Sequence, residues 1–342
     1  MAKYKDIGGS AVQFRSGAEE YTYPSPEGEL FYNAGNGQFQ FVGLGGGNWA
    51  TGGNMNQARY AAGSDGTLTA AIIAGGYSSA RVANVEQYNG SSWTEVADLN
   101  DARYSVPLFG TSSSALAVGG DTPPYTGNTE SWNNSSWTEV NDLNTARRMS
   151  ARAGASNTSG LIAGGYASPG YQAIVETWDG SSWTEVGDLN QAGYLRGSAG
   201  ISTASLVFGG SPGPGSTAFF ALTESWNGSA WTEVSDLNTA RTSGGSSGNY
   251  TAALFFGGQT PPNSDSAKTE SWDGTAWTEV SDLSTAQEDL SGEGSSTAAF
   301  STGGNPQIAA TEEWTTTATP TTLQKINLGQ VYYNSGSNAF KV

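Results

Sequence analysis

The sequence has 342 residues, among them 48 Gly, 11 Trp and 15 Tyr, with no Cys, no His and a net charge of −17. That charge repels nucleic acids and anionic membrane surfaces, and without Cys or His no disulfide, thiolate nucleophile, Ser–His pair or ordinary zinc centre can form. No stretch approaches a membrane span and Met1 to Ser10 lacks a signal-peptide core, so the expectation is a protein made in the cytoplasm without a secretory signal, not inserted in a membrane, and needing no cofactor or metal.

In chain order, residues 1–27 show no clear pattern and read as an arm. Residues 28–45 read as a β-hairpin, with Leu30-Phe31-Tyr32-Asn33 and Gln38-Phe39-Gln40-Phe41 as its strands. Asn48-Trp49-Ala50-Thr51 then stands as an orphan strand, followed by the junction Asn56-Gln57-Ala58-Arg59. From there one pattern recurs. Gly pairs fall at Gly75-Gly76, Gly119-Gly120, Gly164-Gly165, Gly209-Gly210, Gly257-Gly258 and Gly303-Gly304, at intervals of 44, 45, 45, 48 and 46 residues. Each pair is preceded by an apolar run and followed by a variable stretch, then by Glu-x-aromatic at Glu86/Tyr88, Glu130/Trp132, Glu176/Trp178, Glu224/Trp226, Glu270/Trp272 and Glu312/Trp314. A tight turn and a Trp-Thr-Glu run complete each of the first five units, at Trp93, Trp137, Trp183, Trp231 and Trp277.

A period near 45 with four short strands per unit predicts a propeller blade. We label the strands a to d from the inside outwards: a after the junction, as from Arg147 to Ala153; b the apolar run, as from Ala252 to Phe256; c with Glu-x-Trp; d with Trp-Thr-Glu. Asn89-Gly90, Asp179-Gly180, Asn227-Gly228 and Asp273-Gly274 predict type I′ turns between c and d, with positive φ at both residues. The Trp residues are expected to pack blade on blade, because a single four-stranded sheet cannot cover rings of this size. The sixth unit has no Trp-Thr-Glu after Trp314, so residues 47–53 are expected to supply its strand d and close the ring. The fold class is therefore all-β, a six-bladed propeller over residues 46–316 closed by an N-terminal strand. Residues 317–342 read as a second hairpin, Val331-Tyr332-Tyr333-Asn334 and Ala339-Phe340-Lys341-Val342, that matches the first. The two hairpins are expected to pair with each other, pack on the ring or pack on another chain.

The Gly pair, the later aromatic and the Trp make these repeats similar to the kelch family of β-propellers. The run Glu-Ser-Trp-Asn-Gly-Ser, as at residues 224–229, followed by Trp-Thr-Glu-Val resembles more closely the kelch-like proteins of marine bacteriophages. The Gly-x-Leu-Phe-Tyr-Asn hairpins resemble modules of phage tail and fibre proteins. The resemblance implies a virion location, with other virion proteins as partners of the terminal segments.

Two site readings follow. The junction arginines Arg59, Arg103, Arg147 and Arg241, replaced by Gly193 and Gln287 in the other two units, are candidates to hold an anion at a channel mouth, but the preferred reading is a salt bridge or hydrogen bond to repeat carboxylates and the neighbouring blade's backbone. The b–c loops and d–a junctions should share one face, and that face carries the variable segments. Its aromatics Tyr77, Tyr125, Tyr166, Tyr171, Phe219 and Phe220, stiffened by Pro123, Pro124, Pro261 and Pro262, are candidate contacts for a host glycan or protein. The acids recur with the repeat, at Glu95, Glu139, Glu185, Glu233 and Glu279 for example, which suits structural hydrogen bonding better than a catalytic pair. The expected function is a non-enzymatic bacteriophage virion protein of the tail or a fibre, attaching to the host. A head-surface decoration or an intracellular protein-interaction propeller is the alternative, and a polysaccharide-degrading enzyme ranks below both.

Overall fold

The computed structural model describes residues 30–33, 38–41, 47–123, 125–213, 216, 218–316, 321–322, 332–334 and 339–341. The expected arm, residues 1–27, and Pro124 lie outside them. The described residues contain strands and turns and no helix.

Gly47–Thr315 forms one compact unit of six four-stranded antiparallel sheets, a six-bladed β-propeller consistent with kelch-like repeats. In the order a, b, c, d, blade 1 is Gly63–Thr67, Ala70–Ala74, Val85–Tyr88 and Trp93–Val96; blade 2 is Leu108–Thr111, Ser114–Val118, Thr129–Trp132 and Trp137–Val140. Blade 3 is Ala151–Ser156, Ser159–Ala163, Val175–Trp178 and Trp183–Glu185; blade 4 is Gly197–Ile201, Ala204–Phe208, Thr223–Trp226 and Trp231–Glu233. Blade 5 is Gly245–Asn249, Ala252–Phe256, Thr269–Trp272 and Trp277–Val280. Blade 6 takes Ser291–Gly294, Ala298–Thr302 and Thr311–Thr315 from the end of the ring and Asn48–Thr51 from its beginning, with Trp49 opposite Trp314. Each strand a neighbours the next around the axis, and the sixth returns to the first.

The two Trp residues of a repeat have different tasks. The strand-c Trp donates its indole N–H to the a–b turn of its own blade, as from Trp132 to Ser112 O (3.0 Å) and from Trp178 to Asn157 O (2.9 Å). The strand-d Trp reaches the preceding blade, from Trp137 to Ala97 O (3.0 Å) and from Trp183 to Asn141 O (3.1 Å). Both rings are buried, and they tilt against each other with centroids 5.2 Å apart in blade 2. A buried ring of this size removes roughly 150–250 Å² from water, so the repeat glues neighbours together through its own outer strand.

Two local expectations fail. Strand a of blade 3 begins at Ala151 and not at Arg147, because residues 147–150 make the junction. The c–d turn is a four-residue loop and not a two-residue type I′ turn, since Tyr88 pairs with Trp93. Only the second residue has positive φ (Gly90, 89°; Gly180, 96°). The side chain of the first residue takes over instead, Asn89 Oδ1 accepting the amides of Ser91 (3.0 Å) and Ser92 (2.9 Å).

Residues 1–46 and 316–342 form a separate unit. There Leu30–Asn33 pairs with Gln38–Phe41, whose other edge is taken by Thr321–Thr322; Tyr332–Asn334 and Ala339–Lys341 form a sheet of their own. The strands of the two hairpins therefore occupy separate sheets, and Thr321–Thr322, ahead of the second hairpin's strands, pairs with the first hairpin.

Trp137→Ala is expected to cost about 3–5 kcal/mol in chemical denaturation. Trp49, only half-buried against Phe256 and Trp314, should cost less. An equal or larger loss at Trp49 would show that ring closure is worth more than the contact it makes.

Candidate functional site

The junction arginines are not at a channel mouth. Arg59, Arg103, Arg147 and Arg241 are each 0% exposed, which corrects the anion-binding reading and leaves the preferred salt-bridge reading. Each guanidinium meets the strand-c glutamate of the blade it leads into: Arg59–Glu86 at 2.8 Å, Arg103–Glu130 at 2.7 Å, Arg241–Glu270 at 3.1 Å, and Arg147 with Glu176. The other carboxylate oxygen accepts both the backbone and side-chain N–H of the junction asparagine, as Glu86 does from Asn56 at 2.7 and 2.8 Å. Burial lowers the guanidinium pKa and the paired glutamate pulls it back up.

Blade 4 solves the same problem differently. Gly193 stands where the arginine would be, and Arg196, three residues on, reaches Glu224 at 3.3 Å. A Cβ at position 193 would lie 2.9 Å from Arg196 Nε, so the glycine makes the room. Phe220, half-buried, lies over this guanidinium at 5.1 Å. In blade 6, with Gln287 at the arginine position, Glu312 accepts from Ser284 N at 2.9 Å.

The residue after each junction arginine pairs with the residue after the Gly pair: Tyr60 with Tyr77, Tyr104 with Asp121, Arg148 with Tyr166, Tyr194 with Ser211, Thr242 with Gln259 and Glu288 with Asn305. These bridges place junctions and b–c loops on one face, as expected. The next residues form a ring around the axis. Ala61, Ser105, Met149, Leu195, Ser243 and Asp289 all have φ between 50° and 57°. Each donates its N–H to the carbonyl of its counterpart in the preceding blade, at 2.7–3.4 Å, and Ala61 closes the cycle on Asp289. Left-handed φ costs a non-glycine residue about 1–3 kcal/mol, and the cycle of bonds holds all six there.

Outside this ring the face divides in two. Over blades 1 to 4 the tyrosines form an arc. Tyr60 meets Tyr77 (5.4 Å) and Tyr77 meets Tyr104 (5.5 Å); further on, Tyr125 meets Tyr166, Tyr166 meets Tyr171 (both 5.3 Å) and Tyr171 meets Tyr194 (5.0 Å). Arg148 bridges the two runs, lying 6.0 Å from the Tyr104 centroid and 4.8 Å from Tyr125. Asp121 holds Arg148 and also Arg81 (2.6 Å), which lies 5.4 Å from the Tyr104 ring. All seven tyrosines are half-buried. The structure thus brings together Tyr77, Tyr125, Tyr166 and Tyr171. Tyr60, Tyr104, Tyr194, Arg81 and Arg148 were missed, although the first three share a legible signal, the position just after the junction arginine or its equivalent.

Over blades 4 to 6 the face opens into a cavity of about 340 Å³ lined by Tyr194, Phe219, Gln259, Asn263, Glu288 and Asp289 among others. Through Met149, Leu195, Ser243 and Asp289 it adjoins an axial cavity of about 100 Å³. Arg152 borders that cavity from below, donating to Leu108 O (2.6 Å), Ser64 O (2.7 Å) and Glu293 (3.2 Å). Asp65 and Glu293 occupy equivalent positions in adjacent blades. Loss of solvent raises the pKa of both, against the pull of Arg152. Asp289 is pushed up to about 7 by burial and by Glu288, which is itself raised by burial. These acids do not follow the repeat, and reading the acids by their periodicity passed over them. Among the described residues no group of His, Cys, Asp or Glu has the arrangement of a metal site. In comparisons with known proteins, no family model and no curated protein matches the chain.

Two outcomes follow. Arg103→Ala, which strands Glu130 in the interior, should destabilise by about 3–5 kcal/mol in denaturant titration. For Asp289, a folded-state pKa above the ordinary 3.8 means that ionisation opposes folding. That stability is complete below about pH 4 and is lost as pH rises through about 7, with Asp65 and Glu293 acting in the same direction. Thermal melting should therefore fall between about pH 5 and pH 8, and Asp289→Asn should recover on the order of 1–3 kcal/mol at about pH 8 and little at about pH 4. A loss of stability in that variant at about pH 8 would reverse the sign.

Proposed function

We propose that the chain is a non-enzymatic structural protein of a bacteriophage particle, a tail or fibre component that contributes to host-surface attachment through the loop face of its propeller. The tyrosine arc carries the attachment reading. Seven half-exposed tyrosines with two arginines offer a long strip of rigid, amphipathic surface, and tyrosine makes such contacts with little loss of conformational freedom. Host glycans present C–H faces and hydroxyls that suit this strip.

The virion part rests on the likeness of the repeats to kelch-like proteins of marine bacteriophages and of the end hairpins to fibre modules. The charge of −17 supports solubility in a salty medium, where long-range repulsion is screened. The lack of His and Cys and the structural use of the buried repeat glutamates support a role without catalysis. Other virion proteins would be held by the terminal segments, leaving the loop face free.

Replacing Tyr125, Tyr166 and Tyr171 together with Ala should leave incorporation into particles intact and lower adsorption to host cells at least about tenfold, at roughly 0.5–1.5 kcal/mol per aromatic contact. Deleting residues 1–42 should abolish incorporation, with folding checked by the melting curve because Trp49 is retained. Normal adsorption by the first variant together with normal assembly by the second would remove both assignments.

A further inference from the structure

The half of the loop face at the end of the tyrosine arc has a chemistry of its own. Its cavity of about 340 Å³ is bordered by Glu288 and Asp289, and none of its described lining residues is Lys or Arg. Asp265, in the ribbon that Ser264–Asp265 forms with Gln259–Thr260, adds to the negative field at both acids. Tyr194, the last member of the arc, and Phe219 are among its lining; Ser211, Thr242, Gln259 and Asn263 supply uncharged hydrogen-bonding groups.

We propose that this cavity seats an amino sugar, its ammonium group against Glu288 and Asp289, as the terminal unit of a glycan whose remainder lies along the tyrosine arc. The assignment rests on the attachment reading above and names the ligand's end group. Size fits first, since small-molecule sites begin at about 300 Å³. Each part of the ligand then has a partner. A pyranose C–H face stacks on Tyr194 or Phe219, the ammonium gains both carboxylates and an aromatic face, and the hydroxyls meet the amide and hydroxyl side chains.

Binding should be linked to protons. Asp289 faces Glu288, Asp265, Tyr60 and Tyr194, while Arg152 and Arg196, which border the axial cavity, are engaged by Glu293 and Glu224. With its pKa pushed up to about 7, Asp289 is partly protonated at neutral pH. An ammonium beside it favours the ionised form and expels the proton, so acidification competes with the ligand.

The test is calorimetric titration of the full chain with D-glucosamine, at about pH 7 and about pH 5.5, where its amine is mainly protonated, with N-acetyl-D-glucosamine as the neutral twin. Saturable binding is expected at about pH 7, roughly tenfold weaker at about pH 5.5 and at least about tenfold weaker for the twin. Glu288→Gln and Asp289→Asn should each abolish it, with melting curves confirming the fold. Tyr250→Ser, in an a–b turn on the opposite face, should leave it unchanged. No saturable binding, equal affinity for the twin, or binding that survives both carboxylate substitutions overturns the assignment. Host adsorption reads the underlying proposal separately. If the tyrosine variant loses adsorption while glucosamine fails to bind, only the cavity assignment falls. If glucosamine binds while the tyrosine variant adsorbs normally, the attachment reading falls and the amino-sugar site stands.

Discussion

Blades 1 to 5 are each joined to the blade before them by one buried carboxylate, an arrangement that blade 6 keeps only in part. The strand-c glutamate has two oxygens: one accepts two N–H groups of the junction asparagine, and the other takes the junction arginine. In blade 2 the arginine's second terminal nitrogen also donates to Asn128 O, at 2.8 Å, where the b–c loop enters strand c. A single ionic contact thus fixes where the chain leaves one blade, where it enters the next and where the variable loop ends. Removing two charges from water is expensive. Here the expense is met by a full set of hydrogen bonds to the carboxylate, and the result is a loop face whose framework is the same in nearly every blade.

The ring of six left-handed residues depends on that framework. Junctions pinned at equal heights bring each N–H opposite the carbonyl of its neighbour, and the closed cycle leaves no member free to relax alone. Strain that would be costly at one residue is thereby shared by a structure that cannot release it piecemeal. Blade 4 shows how far the framework bends: arginine moves three residues along the chain, glycine vacates its place, and Leu195 still donates to Met149 O at 3.0 Å.

Much of this was legible in the sequence because it is periodic. The blade count, the four strands, the pairing of Trp49 with Trp314 and the common face of junctions and loops follow from a repeat whose members must satisfy identical contacts. What was not legible was departure from the repeat. Arg196 sits at a position that is Ala62, Val106 or Ser150 elsewhere, and only its proximity to Glu224 reveals it as the missing arginine. For Arg59 and its equivalents the sequence favours salt bridges to the repeat carboxylates, and the pairs are there; what it does not tell is that they are fully buried, since a recurrent charge also suits a surface ring. The I′ turn failed because a side-chain amide competed successfully with the backbone geometry that the Asn-Gly pair suggests.

The same contrast separates scaffold from surface. Where a residue type recurs in five or six blades, its contacts are with the molecule itself: tryptophan to the preceding blade, glutamate to the junction, the turn residue to its own amides. Some departures from the repeat are internal repairs, as Arg196 is, but those on the loop face are directed at the surface. Tyrosine follows the junction in three units, whereas Thr242 and Glu288 stand there in blades 5 and 6. Asp289 takes the ring position that is Ala, Ser, Met or Leu in all five others. A carboxyl group raised to about 7 opposes folding at neutral pH, and the ring bonds of Asp289 are made by its backbone whatever its side chain. The side chain's hydrogen bond with Ser243 favours the ionised form but leaves the pKa raised, so the carboxyl remains a net cost at the edge of the cavity it borders.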